Sequence, residues 1–423
     1  MLQIAVGFFA LLALAVPIAV TLGILSFWGL MSSGIPLMAA LQSSFESLDS
    51  FSLMAVPFYI LAGNIMQAGG ISERLVALAN SIIGWVRGGL GAAAVLTSMF
   101  FATISGSSSA TTAAVGSITI PAMVRKGYPK TFACAAVASA GELGVIIPPS
   151  LPMIIYALVM GVSAADLFLA GVIPGLLIGC SLMATIIIVA NIKGFDEVTK
   201  LTTGEWLRGI AKALRGAGAA LLMPVIILGG IYSGAFTPTE AAVVATVYGF
   251  AISIFVYRQL DMRGVINVLM KSAITSAGLL LIVAFASAFG FFLTINQIPH
   301  HVGAWIGSIA GSAMMFLLMV NILLFIVGMF METLAAIVIL APILGPVAAQ
   351  YGIDPIHFGL IMIVNLATGM VTPPVGVNLF VVCEVAKVRL DQLIRPLLLF
   401  LAVLVVNILV ITYVPSLSTV LIR

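Results

Sequence analysis

The chain has 423 residues, 62% of them hydrophobic and only 7% charged, with 17 Lys and Arg against 14 Asp and Glu for a net charge of +3. A soluble domain carries about a quarter charged residues, so this composition excludes a water-soluble globule. The net charge is unremarkable for a membrane protein and says nothing about nucleic acid, of which no partner is expected; three scattered cysteines (Cys134, Cys180, Cys383) lack metal-type spacing and read as small buried hydrophobes.

Apolar runs of helical length follow one another from Ile4 to Val414, each long enough for a hydrocarbon core of roughly 30 Å. They are rich in Leu, Ala and Gly without polar/apolar alternation, which predicts membrane-spanning helices over a barrel. Met1-Leu2-Gln3 has no basic region, so no cleaved signal peptide is expected.

In chain order, segment 73–86 is too short to cross and reads as a helix lying along the interface. Segment 88–124 begins and ends near Arg74, Arg87, Arg125, Lys126 and Lys130, and its apolar course is interrupted by Ser105-Gly-Ser-Ser-Ser109 and Thr111-Thr112. It reads as a helical hairpin with a hydroxyl-rich tip. The next segment, 131–163, is interrupted at Gly144-Val-Ile-Ile-Pro148-Pro149. The polar stretch Lys193 to Arg215 holds Asp196, Glu197, Lys200, Glu205, Trp206, Arg208 and Lys212, and gives a connector over 196–215, either an amphipathic helix or a solvated loop. Segment 299–312 is a second short interfacial helix. Segment 313–349 lies between charge-free loops and turns at Met331-Glu332-Thr333, and 356–386 is interrupted at Gly369-Met-Val-Thr-Pro373-Pro374.

The two interruptions are related by arithmetic: 373 − 148 = 225 and 369 − 144 = 225. The same offset pairs Phe100 with Phe325, Pro121 with Pro346, Gly127 with Gly352 and Asp166 with Asp391, the register of a duplication. Residues 1–195 form the first repeat and 216–423 the second. Arg258, Arg263, Lys271, Lys387, Arg389 and Arg395 extend the basic set, whereas the stretches near 161–166, 233–240, 296–303 and 350–357 have no Lys or Arg. The basic side is assigned to the cytoplasm. The first hairpin then enters from inside and the second from outside, so the repeats are inverted, as in many secondary transporters. The fold class expected is an all-α, inverted-repeat membrane bundle with two re-entrant hairpins and two broken helices.

Adjacent prolines remove backbone donors and disfavour helical geometry before them, forcing unwound backbone. At membrane depth such backbone survives only inside protein or beside a wet cavity. Its free carbonyls suit a hard cation such as Na+, and half-helix N-termini suit an anion. The hydroxyls of Ser107, Ser108 and Thr111 at the first tip suit carboxylates, or serve helix packing. Asn365, Thr368, Thr372 and Asn378 around the second interruption are candidates to bond solute or ion, although Asn378 has a second reading as a bridge between helices. Glu142 stands near a cation or pairs with a basic group, and Glu332 acts at the second tip or is hydrated at a cavity mouth. Asp166, Asp391 and Thr237-Pro-Thr-Glu240 read as helix starts. His300, His301 and His357 fall in expected outer loops, away from any acid cluster.

Five stretches resemble the large membrane subunit of tripartite ATP-independent periplasmic (TRAP) transporters, in the family's order. They are Leu53 to Gly63, the Ser105–Pro121 hairpin, Gly141-Glu-Leu-Gly-Val-Ile-Ile-Pro-Pro-Ser150, Phe236 to Ala241, and Ala367-Thr-Gly-Met-Val-Thr-Pro-Pro-Val-Gly376. The resemblance implies a Na+-driven elevator-type importer of an organic acid, such as a C4-dicarboxylate or sialic acid, in the inner membrane. It implies two partners: a periplasmic (P-type) binding protein that delivers the solute, and a separate small four-helix (Q-type) membrane subunit. It also implies one Na+ near Thr103, Ser105, Gly144, Val145 and Pro148, and a second near Gly328, Thr368, Met370 and Thr372. Hairpins and broken helices would form the mobile domain, and helices near 1–50, 166–193, 216–257 and 392–414 much of the scaffold. No Gly-x4-Gly-Lys-Ser/Thr motif occurs, in keeping with ion coupling.

The rivals are a Na+/carboxylate symporter of the same plan without a binding protein, a channel, and an intramembrane hydrolase using Ser107 or Ser108. The last has no intramembrane His partner and no Lys at membrane depth on this map. The orientation is open to test. In a cysteine-free background, Arg125→Cys is expected to react with an impermeant thiol reagent only from the cytoplasmic side, and labelling from outside overturns the assignment.

Overall fold

A chain in lipid must satisfy its backbone groups internally, and this one does so with helices throughout. The computed structural model describes residues 6–8, 10, 11, 14, 16–196 and 202–422. Met1 to Ile4, and Glu197 and Lys200 of the expected connector, lie outside the described residues.

After helical residues at 6–8, 10 and 11 come α1 (Ile18–Ser32) and α2 (Leu37–Leu48), then a 3-10 turn, Phe51–Met54, leading into α3 (Ala55–Ala68). The short α4 (Ile71–Ile83) precedes a helical pair, α5 (Gly89–Ser105) and α6 (Ser108–Arg125). Next come α7 (Lys130–Gly141), the single turn α8 (Leu143–Ile146) and α9 (Leu151–Met160), followed by α10 (Ala164–Lys193). The second half runs α11 (Thr203–Tyr232), α12 (Pro238–Ala251), a π-helical turn Ile252–Val256, and α13 (Met262–Ile295). It then repeats the first half's sequence of elements. A short α14 (Ile298–Ile309) precedes the pair α15 (Ala313–Phe330) and α16 (Thr333–Gln350), then α17 (Pro355–Gly369), α18 (Val377–Ala386), α19 (Leu390–Tyr413) and α20 (Ser416–Thr419). Among the described residues eight helices are long and apolar enough to cross a membrane, or nine if α7–α8 and α9, bent by 41°, count as one span. Their outer faces expose Ile188, Leu222, Val225, Val247 and Leu398, side chains that suit lipid contact.

Several expectations are corrected. Helix α11 runs unbroken through residue 215, because a reciprocal cap between Thr202 and Glu205 starts it and no proline follows until Pro224. The amphipathic part of the connector is thus the first turns of a long helix. His300 and His301 lie on α14, not in a loop. His357 is buried on α17, where its ring nitrogens meet Ser418 Oγ at 3.1 Å and the Thr412 carbonyl at 3.2 Å. Cys180 is exposed on α10, a face turned away from the core.

One set of helices is tied around α13. Ser44 Oγ donates to the Ala284 carbonyl at 2.9 Å, and Asn64 Nδ2 donates to Ser272 Oγ at 2.9 Å. Thr246 on α12 donates to the Phe58 carbonyl at 3.0 Å. The α5/α6 pair is anchored elsewhere. Buried Asp196, just past α10, accepts from the Leu90 N–H at 3.2 Å and the Tyr128 hydroxyl at 3.3 Å, and the Tyr128 oxygen accepts the Gly91 N–H at 3.3 Å, so two otherwise orphaned donors at the start of α5 are met. Sequence alone gave Asp196 no role beyond the connector.

Candidate functional site

Each proline pair opens a stretch of backbone that the neighbouring helical pair closes. The first backbone N–H past Pro148-Pro149 that is bonded across belongs to Leu151 and donates to the Gly106 carbonyl at 3.4 Å. Its counterpart past Pro373-Pro374 belongs to Gly376 and donates to the Met329 carbonyl at 3.1 Å. These donors are 376 − 151 = 225 positions apart, the offset of the proline pairs themselves. Both Pro–Pro peptide bonds are cis.

Glycine permits the close approach at each junction. Gly106 turns the first tip at φ +57°, a left-handed conformation that side chains disfavour. A Cβ on Gly144 would strike the Ser107 carbonyl and lie 2.6 Å from Thr111 Oγ1, so tip and break meet backbone to backbone. At the second junction a Cβ on Gly369 would strike the Gly328 backbone, and one on Gly328 would lie 2.8 Å from the Leu366 carbonyl. Thr333 Oγ1 reaches Met370 Sδ at 3.1 Å across the same junction.

A cavity of about 550 Å³ opens between the two tips on one side and α3 with α13 on the other. Of the residues singled out in the sequence, Ser105, Ser107, Ser108, Val145, Glu332 and Met370 line it. The others lie behind this wall. Thr111 Oγ1 donates to the Ser107 carbonyl and shares a hydrogen bond with Ser105 Oγ, both at 2.8 Å. Thr103 donates to Phe100 within its own helix at 2.7 Å, and the Val145 carbonyl accepts from Ser150 Oγ at 2.6 Å. Thr368 donates to the Val364 carbonyl and Thr372 to the Thr368 carbonyl, both at 2.9 Å. Pro148, Gly144 and Gly328 belong to the junctions themselves. Asn365 donates to Asn321 Oδ1 at 2.8 Å, and Thr412 joins that acceptor at 3.2 Å, linking α15, α17 and α19 away from the cavity. Asn378 donates to Ser108 Oγ, joining α18 to α6 as in its bridging reading.

The cavity's opposite wall went unread in the sequence. It presents Asn64 and Gln67 from α3 with Lys271 and Thr275 from α13. Lys271, counted above among flanking cytoplasmic charges, is the one basic side chain among the residues lining the cavity. The signal was available. Lys271 lies 271 − 262 = 9 residues into α13, roughly 14 Å along its axis.

Residues 5–417 match the family described as "Tripartite ATP-independent periplasmic transporter, DctM component". The chain belongs to this family. It is 49% identical over 374 residues to the C4-dicarboxylate TRAP transporter large permease protein DctM of Pseudomonas aeruginosa, covering 88% of this chain and 87% of that one. The sialic acid TRAP transporter large permease protein SiaM of Vibrio cholerae is 38% identical over 359 residues, covering 85% and 83%. An isethionate TRAP transporter permease, DctMQ of Oleidesulfovibrio alaskensis, is 45% identical over 417 residues, covering 98% of this chain and 65% of that longer protein. The crystal structure of the YdaH transporter of Alcanivorax borkumensis shares the fold, with a TM-score of 0.55 at 17% identity over 90% of this chain and 89% of that one. The chain is thus a multi-pass inner-membrane TRAP large permease, among relatives named as permeases.

The junction geometry makes a direct prediction. Gly369→Ala forces α15 away from the second break and lowers stability by about 1–3 kcal/mol, read as a lower thermal unfolding midpoint of the purified protein. Gly290→Ala, whose Cβ meets nothing within 4 Å, leaves the midpoint unchanged or raises it.

Proposed function

We propose that this TRAP permease imports a small organic anion by Na+ coupling, receiving it from a periplasmic binding protein and working beside a small Q-type membrane subunit. The observation that carries the reading is the cavity, where hydroxyls from the first tip face the lysine of α13 across a space of about 550 Å³. Serine hydroxyls and a lysine are the donors that a carboxylate or sulfonate requires. The relatives' named solutes (C4-dicarboxylate, sialic acid, isethionate) are anions of that kind. A C4-dicarboxylate is the first solute to try.

The two junctions fit Na+. Their donor atoms are carbonyl and hydroxyl oxygens brought close by glycine, the set that a hard cation prefers. Ser105, Gly144, Val145 and Pro148, with Thr103 behind them, would hold one ion. Gly328, Thr368, Met370 and Thr372 would hold the other. A bound cation would supply fixed positive charge at the tips and draw the anion in. Asn378, bonded to Ser108, would hold the wall that presents Ser107 and Ser108, while Asn365 would tie α17 to α15 away from the cavity. Glu332 would set the polarity of the second tip.

Movement follows from the same division. The helical pairs and broken helices would travel as one body against α3, α12 and α13, an elevator motion between oppositely entering hairpins. On the orientation read from the basic residues, the Lys271 half of α13 is cytoplasmic, so the cavity would face inward here. The solute would leave past Lys271.

Uptake by proteoliposomes holding the chain and its small subunit tests the reading, with radiolabelled succinate as probe. Uptake is expected to need both an inward Na+ gradient and a loaded binding protein. Full-rate uptake of free succinate without any binding protein would favour the plain symporter. Lys271→Gln is expected to raise the succinate concentration for half-maximal effect about tenfold, the value of one charge-assisted hydrogen bond. An unchanged concentration dependence removes Lys271 from the solute site.

A further inference from the structure

Glu142 takes part in none of the interactions described so far. It sits between α7 and α8, just ahead of the first break, with 0% of its surface exposed. Neither carboxylate oxygen has a hydrogen-bond donor. The one ion pair among the described residues, Arg389 with Asp391, is a distant surface pair. An ionised carboxylate so placed is strongly unfavourable unless a positive charge joins it.

Its surroundings offer oxygen lone pairs and few protons. Thr368 stands beside the carboxylate, but its hydroxyl hydrogen is committed to the Val364 carbonyl at 2.9 Å. Thr112, packed against Gly141, likewise donates to the Ser108 carbonyl at 2.9 Å. Ser108 Oγ receives Asn378 Nδ2, and the remaining amide oxygen of Asn378 is a second buried acceptor without a partner. A run of contacts through Gly141, Thr112, Ser108 and Asn378 therefore links one orphaned oxygen group to another. Met370 closes the run towards Thr368, its carbonyl accepting the Asn378 N–H at 3.0 Å. Acceptors in excess of donors around a buried carboxyl group are the environment of a hard cation.

We infer that Glu142 anchors a third, fully buried Na+ site between the two helix breaks, with Thr368 as a neighbouring oxygen donor. The inference rests on the Na+-coupled reading above. One carboxylate against one monovalent ion leaves the interior neutral, whereas a divalent ion would leave excess positive charge. Because Glu142 precedes the first break and Thr368 the second, an ion shared between them ties the two breaks together.

The test is equilibrium binding of radioactive sodium to the purified complex of this chain with its small subunit, in choline buffer. Glu142→Gln keeps the shape of the side chain and removes its charge, and it is expected to bind one Na+ fewer per chain than the unaltered protein. Equal stoichiometry and affinity in the two proteins overturns the site and leaves Glu142 a neutral acid donating to Thr368. No Na+ binding by the unaltered protein overturns this site and the Na+-coupled reading together. A second measurement needs no variant. Modification of Glu142 by dicyclohexylcarbodiimide, read by peptide mass spectrometry, is expected to slow at least tenfold in Na+ relative to choline. Equal rates in the two salts likewise overturn the site.

Discussion

Beyond each proline pair, one backbone N–H is donated across to a helical pair: Leu151 to Gly106, and Gly376 to Met329. The rest of the site depends on these two bonds. A proline pair cannot continue a helix, and a broken helix in lipid leaves polar groups that must find partners within the protein. The tips supply those partners, and their approach is close enough that glycine is required on both sides, Gly144 against Ser107 and Gly369 against Gly328. Unsatisfied backbone thus becomes a pair of oxygen-rich junctions. Between them and the α3–α13 wall lies the cavity.

Charge is distributed with the same economy. The chain places Lys271 and Glu332 on opposite walls of the cavity and Glu142 behind it, with little other charge nearby. Each is positioned where an ionic ligand of opposite sign would relieve it. In this account the anion meets Lys271 from the wall of α13, while cations meet carbonyls and Glu142 within the body that carries the tips. The solute would then bridge the tip hydroxyls and Lys271, while the ions stay within the body that carries the tips. That arrangement would let occupancy bias the position of the proposed moving body, because a ligand shifts an equilibrium only through contacts that differ between its states.

Much of this was legible in the sequence, for a physical reason. Proline and glycine punctuate a membrane helix with little ambiguity, so the breaks at Pro148-Pro149 and Pro373-Pro374 and the tips at Ser105–Ser109 and Met331–Thr333 could be located from residue type and the 225-residue offset. Polar side chains were less readable. Asn365 and Asn378 look alike as intramembrane amides, and only their partners, Asn321 and Ser108, distinguish wall from lining. Lys271 was read as a flanking charge because charges alone marked the helix end, whereas the helix begins earlier, at Met262 after its Asp261 cap. His357 was misplaced because Thr412 and Ser418, which bury it, lie some sixty residues further along the chain. The continuity of α11 was hidden by its polar first turns, which resemble a loop when read by composition.

The central claim is that the tips and broken helices move as a body against α13. Spin labels at Lys126→Cys, on the exposed end of α6, and Arg263→Cys, on the exposed start of α13, report that displacement by pulsed electron resonance in liposomes. The account predicts two distance populations separated by more than one helical turn, about 5.4 Å, with Na+ and succinate-loaded binding protein shifting the balance between them. A single distance, unchanged by either, would contradict it.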